Sequence, residues 1–537
     1  MESNNRASSL ESALWSAADV LRGKMDASEY KNYLLGLIFY RFLSEKVLST
    51  FGKWAGIDQD IEKTYQEYMD PNFQMSGVTI RDSALEYIKN SLGYSIEADA
   101  LYSSLIEKIR MHKFALDDLA QALHDLENST IGQRSAQDFA GLFADVDLTS
   151  NKLGNNLSQR NQVISDTMLA LNNIDLTAHN GDVLGDAYEY LIAQFASDSG
   201  KKAGEFYTPR QVSDIIAQIV TYKRDAGDAQ IRSIYDPAVG SGSLLLNVGQ
   251  HVADPSLVSY HGQELNTTTF NLARMNLMLH GVSYEDMHLN NGDTLSKDWP
   301  TDEPYLFDAV VMNPPYSAQW NNSDSRLADP RFRDYGVLAP KSKADFAFLL
   351  HGFYHLQEKG TMGIVLPHGV LFRGAAEGKI RQKLLEDNRI DAIIGLPANI
   401  FHSTGIPTLI MVLKKHKTTD DVLFIDASRD FEKDKNQNRL AEANINKIVD
   451  AYKNRQDVDK YAHVASMDEI KSNDYNLNIP RYVDTFEAEP EIDLEQVKNE
   501  LADIDKEISE NLVDFQSLEA QLVKTNIDAT ATKQGIK

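Results

Sequence analysis

The chain has 537 residues, 42% of them hydrophobic, enough for about two to four domains and at least one large core. It has no cysteine, which excludes disulfides, thiolate metal sites and cysteine nucleophiles and fits a cytoplasmic protein. A net charge of −26 opposes binding of duplex DNA by this chain alone, because such affinity comes mainly from Lys and Arg neutralising phosphates.

Three ways out of that conflict exist. The substrate is not nucleic acid, or basic residues gather locally, or a partner supplies the phosphate contacts; the motifs below favour the partner. The start, Met1-Glu2-Ser3-Asn4-Asn5-Arg6, lacks the basic-then-apolar order of a signal peptide. No apolar run approaches ~18 residues, so no membrane span is expected.

In chain order, residues 1–152 read as a helical domain. Ala13-Leu14-Trp15, Val20-Leu21 and the dense run from Tyr33 to Leu43 suit amphipathic or buried helices, and little alternates with period two. The domain is either structural or a guide for DNA or a partner.

Residues 153–482 switch to short β-rich runs separated by helical ones. Strands are predicted at Ile231–Tyr235, Val258–Gly262, just before Asn291, Phe307–Met312, Met362–Leu366, Asp391–Leu396, Thr408–Leu413 and Val422–Ile425. Helices are predicted between them at Leu244–Val252, Thr267–His280, Asp345–Gln357 and 375–387. That alternation implies an α/β fold with a doubly wound, mostly parallel sheet covered on both faces.

The tail, 483–537, carries heptads. Leu494, Leu501, Ile508, Phe515 and Leu522 recur every seven residues, interleaved with Val497, Ile504, Asn511 and Leu518. Such a helix requires a partner, in this chain or another, and the polar Asn511 interrupts the seam as register-fixing residues do.

Chemistry concentrates at the predicted strand ends. Asp236-Pro237-Ala238-Val239-Gly240-Ser241-Gly242-Ser243 follows the first strand, where glycines permit close backbone approach to a ligand. It is not a phosphate-binding P-loop, since no Gly-Lys pair in the chain is followed by Ser or Thr. Glu264 follows the second strand at the distance where an acidic residue binds ribose hydroxyls, and Asp293 follows the third. Three acids at successive strand ends suit an adenosine-bearing cation, which S-adenosylmethionine is and NAD is not.

Asn313-Pro314-Pro315-Tyr316 then ends the apolar strand 307–312. Asn313 Oδ1 and a carbonyl of the proline pair can accept the two hydrogens of an exocyclic amine, while Tyr316 stacks on its ring. A flipped-out adenine has that shape.

With these motifs the sequence resembles the modification (methyltransferase) subunit of type I restriction–modification systems, adenine-N6-specific DNA methyltransferases with a Rossmann-like fold. The resemblance covers nearly the whole chain. It implies that Asn313, Pro314, Pro315 and Tyr316 are catalytic and that Asp236, Gly240, Ser241, Gly242 and Ser243 form the cofactor loop. It also implies that Glu264 binds the ribose and that Glu205, Phe206, Tyr207, Thr208, Pro209 and Arg210 close over the methionine part of the cofactor. The loop's Gly-Ser-Gly-Ser departs from the Thr-Ala-Gly-Phe-like residues common in relatives. No metal is implied.

The partners so implied are a specificity subunit that chooses the DNA sequence, a second methyltransferase subunit, a restriction/translocase subunit and double-stranded DNA. The ledge alone also suits a protein glutamine or an RNA base, or a non-catalytic subunit that merely holds a flipped base. Ser317–Lys343, with Trp320, Arg326, Arg331, Phe332, Arg333, Lys341 and Lys343, is expected either to order around the target nucleotide or to be a plain surface loop.

Overall fold

Strand side chains that point alternately into two cores build the centre of this protein. The computed structural model describes residues 2–75, 78–174, 181–198, 207–222, 230–300, 305–401, 404–434, 437–485 and 493–534. It divides into two units, Met1–Asp484 and Thr485–Lys537.

A nine-stranded sheet organises the first unit. Its strands are β1 (Ser233–Asp236), β2 (Ser259–Glu264), β3 (Met287–Asn291), β4 (Phe307–Met312), β5 (Leu356–Pro367), β6 (Ile390–Gly395), β7 (Thr408–Lys414), β8 (Val422–Asp426) and β9 (Ala462–Ala465). They lie in the order β9-β8-β6-β7-β5-β4-β1-β2-β3. All neighbours run parallel except β7, which is antiparallel to β5 and β6, and β9, antiparallel to β8.

Period two divides the strand side chains between two cores. From β4, Ala309 and Val311 join one core with Ile215, Ile216 and Ile219 of the helix Arg210–Thr221. Val310 and Met312 join the other, with Phe346, Leu349 and Leu350 of the helix Asp345–Tyr354. Both faces are therefore covered, and the strands read as continuous apolar runs.

The amino-terminal region is helical as expected. The run Leu34–Leu43 lies in the helix Ala27–Ala55, where Leu34, Leu37, Ile38, Phe39 and Tyr40 are almost wholly buried. Its buried tyrosine neighbours are satisfied by carbonyls: Tyr94 donates to Leu43 O at 3.0 Å and Tyr102 to Met168 O at 2.9 Å. Arg274, on the helix Thr267–Leu279 behind β2, bolts this region to the sheet by donating to the carbonyls of Gln137, Asp138 and Ala140 at 2.9–3.1 Å.

The segment after the ledge is partly core and partly surface. Trp320, Arg331 and Phe332 are buried and anchor it to the second core, while Arg333 and Lys341 are exposed. Arg331 donates to Thr294 O at 2.8 Å and to His351 Nδ1 at 3.0 Å, and pairs with Asp329. His351 in turn meets Tyr235 Oη at 2.8 Å, and His355 meets Asp298 at 2.9 Å. Asp298, His351 and His355 have the proximity of metal ligands, but the Arg331 guanidinium already supplies their positive charge.

The second unit contains the helix Leu494–Gln534. Its heptad side chains Leu501, Ile504, Ile508 and Phe515 are exposed, as is Asn511. Among the described residues no helix is long and apolar enough to cross a membrane.

Candidate active site

The carboxyl ends of β1, β2, β4 and β5 converge where the strand order reverses between β1 and β4, the crevice in which open α/β sheets bind ligands. Asp236 closes β1 and is only 1% exposed. Its Oδ1 accepts the Ala238 amide at 2.9 Å. Burial, with the nearby Glu264 adding to it, pushes its carboxyl up to about 8, against the pull of that amide.

Glu264 ties the loop to the end of β2. Its carboxylate accepts the amides of Gly240 at 3.1 Å and Asn266 at 2.8 Å, and burial raises its pKa against those bonds. Among the described residues neither Asp236 nor Glu264 forms an ion pair. Two burdened carboxylates without a cation suit a cationic ligand bearing hydroxyls; a pyrophosphate would be repelled.

Gly240 and Gly242 both have positive φ, 56° and 82°. A Cβ on Gly242 would also stand 2.4 Å from Leu277 Cδ1, so the loop requires glycine there twice over. Ser241 and Ser243 are buried with their hydroxyls 3.0 Å apart, and Asn276 donates to Ser241 O at 2.9 Å. The exposed Asp293 caps its own turn by accepting the Leu295 amide at 3.0 Å.

Of the segment 205–210, Glu205 and Phe206 lie outside the described residues. Tyr207, Thr208 and Ser243 line one small cavity of about 10 Å³, which brings this segment to the glycine loop after β1. Pro209 leads into the helix Arg210–Thr221, and Arg210 reaches outward to Asp186 at 3.3 Å.

Thr208 makes a contact the motif reading did not anticipate. Its Oγ1 accepts from Asn313 Nδ2 at 3.2 Å, while Tyr316 Oη donates to Asn313 Oδ1 at 2.7 Å. The Asn313 amide is thus held at both ends. The Tyr316 ring is partly buried, edge-on to Phe401 at 6.1 Å.

Asn313, Pro314, Pro315 and Tyr316 line a cleft of about 510 Å³ together with Pro367, His368, Gly369, Arg373, Thr404, Ile406 and Pro407. His368 and Arg373 were missed from the sequence, although Pro367-His368 ends an apolar strand just as Asn313 does. His368 Nε2 donates to Thr408 O at 3.1 Å, and burial lowers its pKa, so it stays neutral with Nδ1 as the acceptor. Arg373 pairs with Asp345 and Glu377, and Asp345 Oδ1 accepts the Ser317 amide at 2.7 Å, fastening the ledge to the opposite wall.

Comparison with known proteins matches this architecture to a family. Residues 179–491 match N-6 DNA Methylase, and residues 10–171 match the HsdM N-terminal domain. The methylase subunit of the type I restriction enzyme MpnII of Mycoplasma pneumoniae is 37% identical over 520 residues, 92% of this chain and 93% of that protein. The chain belongs to the type I restriction enzyme methylase subunits.

As such a methylase subunit it is a DNA methyltransferase of the adenine-specific class. The MjaVII methylase subunit of Methanocaldococcus jannaschii is 31% identical over 511 residues, 92% of this chain and 81% of that one. The crystal structure of a type I methyltransferase subunit from Streptococcus thermophilus superposes with a TM-score of 0.84 at 52% identity, covering 89% of this chain and all of that one. The fold is that of the methyltransferases that use S-adenosylmethionine.

The Thr208 contact makes a prediction within this methylase site. Thr208→Val should slow methyl transfer about 10- to 100-fold, the worth of one hydrogen bond that fixes a reacting group. S-adenosylmethionine affinity should stay within about twofold, and Thr208→Ser should restore the rate. Single-turnover kinetics and calorimetry separate the two quantities; loss of affinity with unchanged rate would place Thr208 on the cofactor instead.

Proposed function

We propose that this methylase subunit transfers the methyl group of S-adenosylmethionine to N6 of an adenine flipped out of double-stranded DNA. The observation that carries the reading is the Asn313 amide, clamped by Thr208 and Tyr316 at the edge of a base-sized cleft beside the Asp236–Glu264 loop. Asp236, Gly240, Ser241, Gly242, Ser243, Glu264 and Asp293 would hold the cofactor, with Tyr207 at its methionine end and Thr208 turned to Asn313. S-adenosylmethionine supplies, when bound, a methyl group activated by its sulfonium.

The protein's task is alignment. The adenine amine is a weak nucleophile because its lone pair is delocalised into the ring. Asn313 Oδ1 and the Pro314 carbonyl accept its two hydrogens, turning the lone pair toward the methyl carbon and stabilising the positive charge that develops on nitrogen. In doing so the amine takes the place of the Tyr316 hydroxyl on Oδ1. The ring so released stacks on the base, returning about 1–3 kcal/mol of the few kcal/mol that flipping costs.

Target choice would belong to a separate specificity subunit, which also answers the −26 charge of this chain. In the division we propose, residues 1–152 are a helical domain, 153–482 the catalytic domain and 483–537 a docking tail. The exposed seam of the helix Leu494–Gln534 would pair with helices of the specificity subunit in a complex with a second methyltransferase subunit. ATP-driven cleavage would reside in a restriction/translocase subunit.

The test is co-purification with a specificity subunit, followed by transfer of radiolabelled methyl groups to adenine-containing duplexes. Label on adenine N6 is expected; label appearing in protein or RNA and never in adenine would overturn the reading.

A further inference from the structure

An exposed aromatic stands on a rigid turn at the rim of the candidate cleft. Between residues 207 and 485 the described aromatic side chains that are exposed are Tyr305 and Phe372, the latter 48% exposed. Tyr305 precedes β4 and so lies at the amino end of the sheet, away from the ledge. Phe372 follows the turn His368–Leu371 at the carboxyl end of β5, and its neighbours Gly369 and Arg373 line the cleft with Asn313 and Tyr316.

The turn around Phe372 has little freedom. Val370 and Leu371 before it are wholly buried. Arg373 after it is paired with Asp345 and Glu377, and Asp345 also holds the amide of Ser317. The buried Arg381 donates to Val370 O and Arg373 O, both at 2.9 Å, bridging the backbone on either side of residue 372. Three buried charged groups, Asp345, Glu377 and Arg381, and the core residues Val370 and Leu371 hold this turn in place while the phenyl ring of residue 372 stays in water. The aromatics of the segment 317–343, by contrast, are consumed in the core.

We propose that Phe372 is a DNA-contacting wedge, inserting into the base stack where the target adenine has left it; this rests on the base-flipping reading given above. Apolar side chains serve this purpose elsewhere because they replace the lost stacking without demanding hydrogen bonds. A turn whose backbone is already fixed loses little conformational freedom when its side chain inserts, and its place beside the ledge lets one docking event fill both the cleft and the gap. The ring lowers the energy of the flipped state and takes no part in methyl transfer itself.

The experiment uses the methyltransferase bound to its specificity subunit and two duplexes that differ at the target adenine. In one it is paired with thymine; in the other it faces an abasic site. Phe372→Ala should methylate the paired duplex about 10- to 100-fold more slowly in single turnovers, the range of one base–aromatic stack. It should stay within about twofold of wild type on the unpaired one, where the missing pairing already makes flipping cheap and no longer limiting. Phe372→Leu should recover most of the loss. Equal loss on both duplexes would make Phe372 a structural residue, and no loss on either would leave the wedge without a role; each overturns the proposal. A wild-type complex that methylates neither duplex would bring down the methyltransferase reading, and the wedge with it.

Discussion

Asn313→Ala is expected to lower the single-turnover rate of methyl transfer about 10³-fold while S-adenosylmethionine affinity changes less than about threefold. In the proposed mechanism the side chain provides one of the two acceptors for the amine hydrogens. Asn313 Nδ2 and Oδ1 are both satisfied within the protein, by Thr208 and Tyr316, so their loss removes a positioned dipole without leaving a buried charge. Stability should therefore fall little, which thermal unfolding can check. Parallel losses of affinity and rate would instead mark Asn313 as a support of the fold. Tyr316 offers the companion test: Tyr316→Phe keeps the ring and should retain most activity, whereas Tyr316→Ala should not.

The second large effect concerns pH. Burial holds the Asp236 carboxyl up to about 8 in the unliganded protein, against about 3.9 in an unfolded chain. The raised value means that the stability Asp236 contributes is fully present below about pH 3.9 and is lost as pH rises through about 8. A bound cation reverses that balance by favouring the carboxylate. S-Adenosylmethionine binding should accordingly release a proton, with affinity rising toward about tenfold per pH unit below about 8.

Asp236→Asn preserves the shape and removes the titration. Its affinity should be about 10- to 100-fold weaker near pH 8, the worth of a charge-assisted hydrogen bond, and its pH profile should lose the slope. The ligand's own ionisation is common to both proteins, so calorimetry in buffers of different ionisation enthalpy isolates the Asp236 proton. A wild-type profile as flat as that of the variant would show that Asp236 is already ionised before the ligand arrives.

Much of this site is legible in the chain because its residues sit at the ends of apolar runs. Asp236, Glu264 and Asn313 each terminate a strand, and strand ends in a parallel sheet face the same crevice whatever the details of packing. Strand boundaries shifted by a few residues: β5 begins at Leu356, earlier than the apolar run Met362–Leu366 indicates, because the residues that follow out of the helix, Gln357-Glu358-Lys359, are polar. The helix Arg210–Thr221, the helix Glu442–Asn454 and β9 went unrecognised, the last two within a charged stretch whose one buried face is narrow.

Composition by itself did not separate the core residues of 317–343 from the exposed ones. Basic and aromatic residues interleaved in a polar loop resemble a nucleic-acid contact, yet Arg331, Phe332 and Trp320 are core residues. A guanidinium is acceptable in a core once carbonyls, carboxylates and a neutral imidazole surround it, and those partners come from Thr294, Asp329 and His351, scattered in sequence.

The amino acid order alone determined the alternation of strands and helices, the glycine loop, the ledge and the heptads of the tail, since each depends on neighbours within a few turns of the chain. Folding decided the rest: that β7 runs against its neighbours, that Thr208 grips an amide 105 positions further on, that His368 and Arg373 wall the cleft, and that Phe372 faces water. Those features arise from contacts between segments distant in sequence, and side-chain partners of that kind carry no local periodicity from which to read them.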